Sequence, residues 1–100
     1  MRLTGTERDA IHACAERVFG PACVVRLFGS RVDDARRGGD IDLHVVAGSA
    51  DLATVGNEIQ FVLALHDVLG EQRTDVIARP PGSTPRPIDE VALAIGQVIA

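Results

Sequence analysis

The run DIDLHVV, residues 40–46, constrains the fold more than any other part of this 100-residue chain. Its polar and apolar side chains alternate, and a period of two is typical of a β-strand with two chemically different faces. Asp40, Asp42 and His44 share one face, with neighbours roughly 6.6 Å apart. Because carboxylates on one face repel each other and are costly to bury alone, the run predicts a strand with a core face and a polar site face.

The segments around this strand predict helices and further strands. Apolar residues at helical spacing, bounded by capping and stop signals, alternate along the chain with β-branched runs that are typical of strands. The predicted order is a helix over 6–19, a strand over 23–29, a short helix or loop, a strand over 40–47, a helix from Asp51 to Leu69, a strand over 73–78 and a closing helix that starts at Pro87. This order predicts an α/β fold, a small mixed β-sheet with helices packed on it, in a single domain over residues 1–100.

Composition limits the function classes. Fourteen acidic residues against ten arginines and no lysine give a net charge of -4, which argues against direct nucleic-acid binding. No apolar stretch approaches the ~18 residues of a membrane span, and the N-terminus lacks the apolar region of a signal peptide, so a cytoplasmic protein is expected. Cys14 and Cys23 lack metal-ligand spacing, so both are expected to be reduced and packed.

A constellation of small and acidic residues predicts a phosphate and metal site. Asp40 and Asp42 can reach into one space, and Mg²⁺ takes oxygen ligands from one or two carboxylates plus substrate phosphates. Gly29 and Ser30 end the preceding strand, where backbone N–H groups and a hydroxyl can approach a phosphate. Asp75 is the one acid in the strand over 73–78, and on the same face it can share a metal or act as general base.

Two further residues near this constellation have alternative interpretations. Arg31 directly follows Ser30 and can neutralise triphosphate charge, although a solvated loop arginine paired with nearby acids explains it equally simply. His44 lies on the site face but deeper along the strand. Because Mg²⁺ prefers oxygen ligands, a packed or supporting histidine is favoured over a direct ligand.

These motifs together resemble a known family. The tripeptide FGS, nine intervening residues, DIDL and the later TDVIA resemble the minimal nucleotidyltransferases, single-domain relatives of the polymerase-β-type enzymes. The resemblance covers nearly the whole chain and implies the nucleotidyltransferase fold. One departure is Gly39, which stands where serine commonly precedes the first aspartate and which removes a hydroxyl contact.

The resemblance also implies roles for individual residues. Asp40 and Asp42 are expected to bind divalent metal, and Asp75 is expected to serve as a further ligand or base. Gly29 and Ser30 are expected to hold the nucleotide triphosphate. The implied cofactors are two Mg²⁺ ions, with ATP as substrate.

Many such minimal proteins are similar to the antitoxin half of a two-gene module whose toxin is a HEPN-domain RNase. By this resemblance the protein transfers AMP from ATP to a toxin tyrosine in a hetero-oligomer. The alternative is a non-catalytic antitoxin or binding module that neutralises its partner by occlusion. A third class, a small-molecule nucleotidyltransferase, is disfavoured because the chain lacks a second domain to hold an acceptor.

The predicted helix from Asp51 to Leu69 is apolar nearly all round, which is typical of a helix that is sandwiched or docked. One stripe is expected to face the core, and Phe61, Leu65 and Val68 lie on the roughly opposite side. Of these, Phe61 and Leu65 are hypothesised to contact a partner or a second copy. The alternative is that other helices of this domain cover both sides. The assigned core stripe consists of Leu52, Val55, Ile59, Val62, Leu63 and His66.

Overall fold

A computed structural model describes residues 4–28, 41–70 and 73–99 of the chain. The elements in chain order are α1 (Gly5–Phe19), β1 (Val24–Phe28), β2 (Ile41–Val46), a 3₁₀ turn (Ala50–Leu52), α2 (Val55–Leu69), β3 (Thr74–Arg79), α3 (Pro87–Ile95) and β4 (Gln97–Val98). The predicted α/β class, a small mixed sheet with helices packed on it, is confirmed.

The four described strands form one sheet in the order β3-β2-β1-β4. Strand β2 pairs antiparallel with β1 and parallel with β3, and β1 pairs antiparallel with β4. Parallel neighbours need a crossover connection, and α2 provides it between β2 and β3. The starts of β2 and β3 therefore meet at the same edge of the sheet.

The hydrophobic core lies between the sheet and the helices α1 and α2. Ile41, Leu43 and Val45 project from β2 into this core and are almost fully buried, as the alternation of the sequence predicts. Phe19 of α1 meets Phe61 of α2 edge to face, with ring centroids 5.3 Å apart. This packing leaves the opposite face of β2, which carries Asp42 and His44, outside the main core.

Capping contacts determine where the first two helices begin. The predicted capping box forms at α1, where the Glu7 N–H donates to Thr4 Oγ1 and the Thr4 N–H donates to Glu7 Oε1. At α2, Thr54 Oγ1 accepts from the Asn57 N–H at 3.1 Å. The predicted start of this helix at Asp51 was wrong, because the Thr54 cap starts α2 at Val55 and a 3₁₀ turn precedes it.

The predicted orientation of α2 was also wrong. Phe61 and Leu65, hypothesised as partner contacts, are buried in the core at 0% and 1% exposure. Val55, Ile59 and Leu63, assigned to the core, are 70%, 56% and 59% exposed. A helix that is apolar nearly all round gives no periodic signal for which side packs. In the structure, the side of α2 that carries Phe61 packs into the core.

Helix α3 and strand β4 complete the fold beyond the sheet's first three strands. Helix α3 begins at Pro87 as predicted and packs on the sheet face opposite the main core. Strand β4 was missed, because two paired residues are too few to produce a strand pattern. In the described part of the chain, no helix combines the length and the apolar character needed to cross a bilayer.

Candidate functional site

Two acidic residues lie side by side at the edge where β2 and β3 begin. The parallel register pairs Asp42 of β2 with Asp75 of β3. Because adjacent strands lie roughly 4.8 Å apart and paired residues share a face, both carboxylates project from the same face of the sheet. Asp42 is half-buried and Asp75 is exposed. The structure thus brings together two of the three predicted acidic site residues.

The electrostatics of this acidic pair favour a cation. Two neighbouring carboxylates disfavour each other's ionised form unless positive charge lies near them. Arg73 Nε is 3.8 Å from Asp75 Oδ2, but both side chains are largely exposed, so solvent screens this ion pair. The exposed Arg73 therefore compensates the charge of Asp75 only weakly.

The pair fits part of a magnesium site. In residues 4–28, 41–70 and 73–99 no three His, Cys, Asp or Glu side chains are grouped so as to hold a metal. Asp42 and Asp75 nevertheless supply two carboxylates, and Mg²⁺ commonly uses one or two together with water and substrate phosphates. These two residues fit such an ion when a phosphate substrate supplies the remaining oxygen ligands.

The other predicted site residues lie outside the described residues. They are Gly29, Ser30, Arg31 and Asp40. Their predicted roles in metal and nucleotide binding stay predictions.

A surface pocket adjoins the acidic pair at the outer edge of β3. It has a volume of about 270 Å³ and is lined by Glu58, Ile59, Val62, Thr74, Asp75 and Val76. Glu58 forms a hydrogen bond with the outer edge of β3, where its Oε2 accepts the Ala78 N–H at 2.7 Å. One wall of the pocket is thus formed by α2, and the other is formed by the start of β3, which includes Asp75.

A second polar cluster lies deeper on the same sheet face, and the contact of His44 with Asp89 in it was missed at the sequence level. His44 is 1% exposed, and its Nε2 lies 3.0 Å from Asp89 Oδ1 of α3. Asp89 Oδ2 accepts from the Arg86 backbone N–H at 2.8 Å and from Arg86 Nε at 3.1 Å. Arg79 Nε is also 3.1 Å from this oxygen, but its N–H is not aligned with it, so the contact is an ion pair without a hydrogen bond.

These contacts hold Asp89 in its ionised form. Burial opposes ionisation, but the hydrogen bonds from Arg86 and His44 and the charge of Arg86 outweigh it and lower the pKa of Asp89 well below its usual range. The ionised carboxylate links α3 to β2 through His44 and to β3 through Arg79. The cluster therefore fixes the two strands that carry Asp42 and Asp75 against α3.

His44 is accordingly a packed histidine in contact with a carboxylate, in agreement with the interpretation that the sequence favoured. Asp89 gave little signal, because an acidic residue in the first turn of a helix is usually explained by the helix dipole. Only the tertiary contact with His44 reveals that Asp89 is buried.

Comparisons with known proteins identify the fold. No protein-family model and no curated protein matches the chain. A structure described as a toxin–antitoxin with AMP-PNP matches with a TM-score of 0.69 and 19% identity, over 93% of this chain and 72% of that one. The chain has a nucleotidyltransferase-type α/β fold. This fold was predicted from the motifs and is confirmed.

A second solved structure supports the same conclusion. It is a mutant of the toxin–antitoxin MntA-HpeT that carries two aspartate-to-glutamate substitutions two positions apart. The TM-score is 0.68 at 18% identity, over 94% of this chain and 71% of that chain. At such identities the likeness establishes the fold alone.

Proposed function

We propose that this protein is a Mg²⁺-dependent nucleotidyltransferase that acts as an antitoxin. The proposed reaction transfers AMP from ATP to a hydroxyl group, a tyrosine in our proposal, of a HEPN-type RNase toxin. The proposed site consists of Asp40, Asp42 and Asp75 as metal-binding and catalytic residues, with Gly29, Ser30 and Arg31 at the triphosphate. The proposed assembly is a hetero-oligomer of antitoxin and toxin.

The observation that carries this proposal is the parallel pairing of Asp42 with Asp75 at one edge of the sheet. The pairing occurs on a fold shared with two toxin–antitoxin structures, one of which was solved with AMP-PNP. In the other, an aspartate pair with the spacing of Asp40 and Asp42 was substituted. Solved structures of this fold thus include one toxin–antitoxin with a nucleotide analogue and another in which such an aspartate pair was substituted.

The different exposures of the two acids suggest a division of roles. Asp75 is open to solvent, so a hydroxyl on a second protein can approach it and lose its proton to the carboxylate. Asp42 is half-buried and held in the sheet interior between β1 and β3, which suits a fixed ligand. Bound Mg²⁺ supplies neutralisation of the triphosphate and pyrophosphate charge.

The proposed reaction forms one bond to the α-phosphorus of ATP and breaks another. The acceptor oxygen forms a bond to the α-phosphorus of ATP while its proton passes to Asp75. The bond from the α-phosphorus to the oxygen that bridges to the β-phosphate breaks, and that electron pair leaves with pyrophosphate. The products are an AMP ester of the acceptor and pyrophosphate. The protein contributes chiefly positioning and charge neutralisation.

Transfer of label from α-labelled ATP to the co-purified toxin tests the proposal. With Mg²⁺ the wild-type protein should label the toxin, and Asp42→Asn or Asp75→Asn should reduce the rate by about 10²-fold or more. Asp9→Asn is the matched control, because it removes one charge from an exposed position on α1 and should leave the rate unchanged.

Two outcomes contradict the enzymatic proposal. The first is absence of label with the wild type in a stable complex, and the second is transfer that persists at the same rate in both aspartate variants. The first outcome favours the second candidate function, an antitoxin that neutralises by occlusion. One observation favours that candidate, namely the exposed apolar side of α2, which offers a binding surface independent of catalysis.

A further inference from the structure

The side of α2 that faces away from the core carries large apolar side chains that are exposed to solvent. Val55, Ile59 and Leu63 recur every four residues and are 70%, 56% and 59% exposed. Residues at this spacing lie along one side of a helix, so they form a continuous stripe. Val62 is adjacent to these three residues, on the side of α2 that faces β3. We name these four residues the α2 stripe.

The α2 stripe borders a pocket that Asp75, one residue of the candidate site, also lines. Ile59 and Val62 line the same pocket of about 270 Å³ as Asp75. A group that rests on the stripe and enters this pocket therefore contacts Asp75 at the outer edge of β3. Apolar surface next to a reacting group suits the binding of a macromolecular acceptor, because it adds binding energy at a distance from the chemistry.

The charges around the stripe restrict what can cover it. Helix α2 contains no lysine or arginine, and its acidic residues are Glu58 and Asp67. A second copy of this chain, which carries net charge -4, would bring the same acids against them. A basic surface would be attracted, because complementary potentials select partners and suppress like-charged ones.

We infer that the α2 stripe is the docking surface for the acceptor protein, and that it binds an amphipathic helix whose apolar side is flanked by lysine or arginine. An apolar helix side that lies against a hydrophobic surface through anchors at helical spacing is a recurring mode of recognition. The inference rests on the proposed function, because it assigns the acceptor of that reaction to this surface. It further assigns Ile59 and Leu63 as the central anchors.

Complex formation with the co-expressed HEPN-type toxin, measured by calorimetry, tests the inference. Ile59→Arg and Leu63→Arg should each weaken the complex at least about 10-fold, because a charge replaces an apolar anchor and faces a basic partner. Val68→Arg is the matched control, since Val68 is 53% exposed on the same helix but away from the stripe, and it should leave the affinity unchanged. Thermal melts of all three variants establish that they are folded.

The charge of the partner is tested separately. Asp67→Lys should weaken the complex at low salt, and the difference from wild type should shrink at high salt, because exposed charges are screened. An Asp67→Lys complex as tight as wild type at low salt would overturn the basic character assigned to the partner. Asp9→Lys, on α1, is the control for a change in net charge.

Other outcomes separate the docking surface from the chemistry. Wild-type affinity in the folded Ile59→Arg and Leu63→Arg variants overturns the inference, as does equal loss in Val68→Arg. A wild-type homodimer that Leu63→Arg converts to monomer identifies a second copy as the occupant, and this also overturns it. If the toxin is never labelled but Ile59→Arg still breaks the complex, the docking surface stands and the proposed reaction fails.

Discussion

At the scale of single residues, the polar face of the sheet uses aspartate in two opposite ways. Asp75 is exposed beside Asp42, where a base and metal ligand is proposed. Asp89 is 2% exposed and is in contact with His44, Arg79 and Arg86. Environment, and not residue type, thus separates the carboxylate that is proposed to react from the one that holds the fold together.

Replacing Asp89 should test its structural role. Asp89→Asn removes the negative charge that holds His44, Arg79 and Arg86, and it should lower the free energy of unfolding at pH 7 by about 1–3 kcal/mol. Chemical denaturation of the variant and of wild type measures the difference. Asp9→Asn, at an exposed position, should change the free energy of unfolding by less than about 0.5 kcal/mol. Equal stability of Asp89→Asn and wild type would show that the cluster does not stabilise the fold.

The difference in free energy of unfolding between wild type and Asp89→Asn should decrease in acid. Because the pKa of Asp89 is lowered on folding, its contribution is fully present above the unfolded pKa of about 3.9 and is lost as the pH falls toward the folded value. The groups that face Asp89 are His44 from β2, Arg79 from β3 and Arg86 at the start of α3. The stability gap between wild type and Asp89→Asn should therefore shrink as the pH falls below about 4. A gap that widens with acid would contradict this assignment.

At the scale of elements, the buried side was predictable from the sequence for an element with one clear polar side. It was not predictable for a helix that is apolar on several sides. In strand β2, polar and apolar side chains alternate from Ile41 to Val45, so its core face followed from the sequence. Helix α2 is apolar on several sides, so periodicity alone could not choose between Phe61 and Ile59 for the core. The acidic candidates Asp42 and Asp75 were identified from their motifs, but their pairing required strand register. Asp89 required a contact between residues 45 positions apart in the chain.

Among the glycines that the structure describes, Gly96 at the junction of α3 and β4 has the least room for an added methyl group. A Cβ at Gly96 would collide with the Ala92 carbonyl oxygen and would lie 3.2 Å from Arg26 Cβ. Gly96→Ala should therefore destabilise the protein by about 1–3 kcal/mol, because backbone must shift to admit the methyl group. A Cβ at Gly5 meets nothing within 4 Å, so Gly5→Ala is the matched control and should be neutral or slightly stabilising. Thermal melts that place Gly96→Ala at or above wild type would contradict the close contact.

At the scale of the whole molecule, charge poses a problem for the proposed substrate. The chain carries a net charge of -4, and its proposed site presents neighbouring carboxylates to a triphosphate that is itself a polyanion. Like charges of this kind repel unless a cation lies between them. Nucleotide binding should therefore depend on divalent metal more steeply than it would in a protein whose nucleotide site is rich in lysine.

The thermal midpoint offers a measure of this dependence that needs no partner and no turnover. A ligand at ten times its dissociation constant stabilises the folded state by about 1.4 kcal/mol. In a chain of 100 residues this should raise the midpoint by several degrees when ATP and Mg²⁺ are added together. ATP with a chelator should give no rise. In Asp42→Asn the rise with both ligands should be largely lost, whereas Asp9→Asn should keep it. A full rise with ATP in the presence of chelator would show that nucleotide binds without the metal and would remove the charge argument for Asp42 and Asp75 as its ligands.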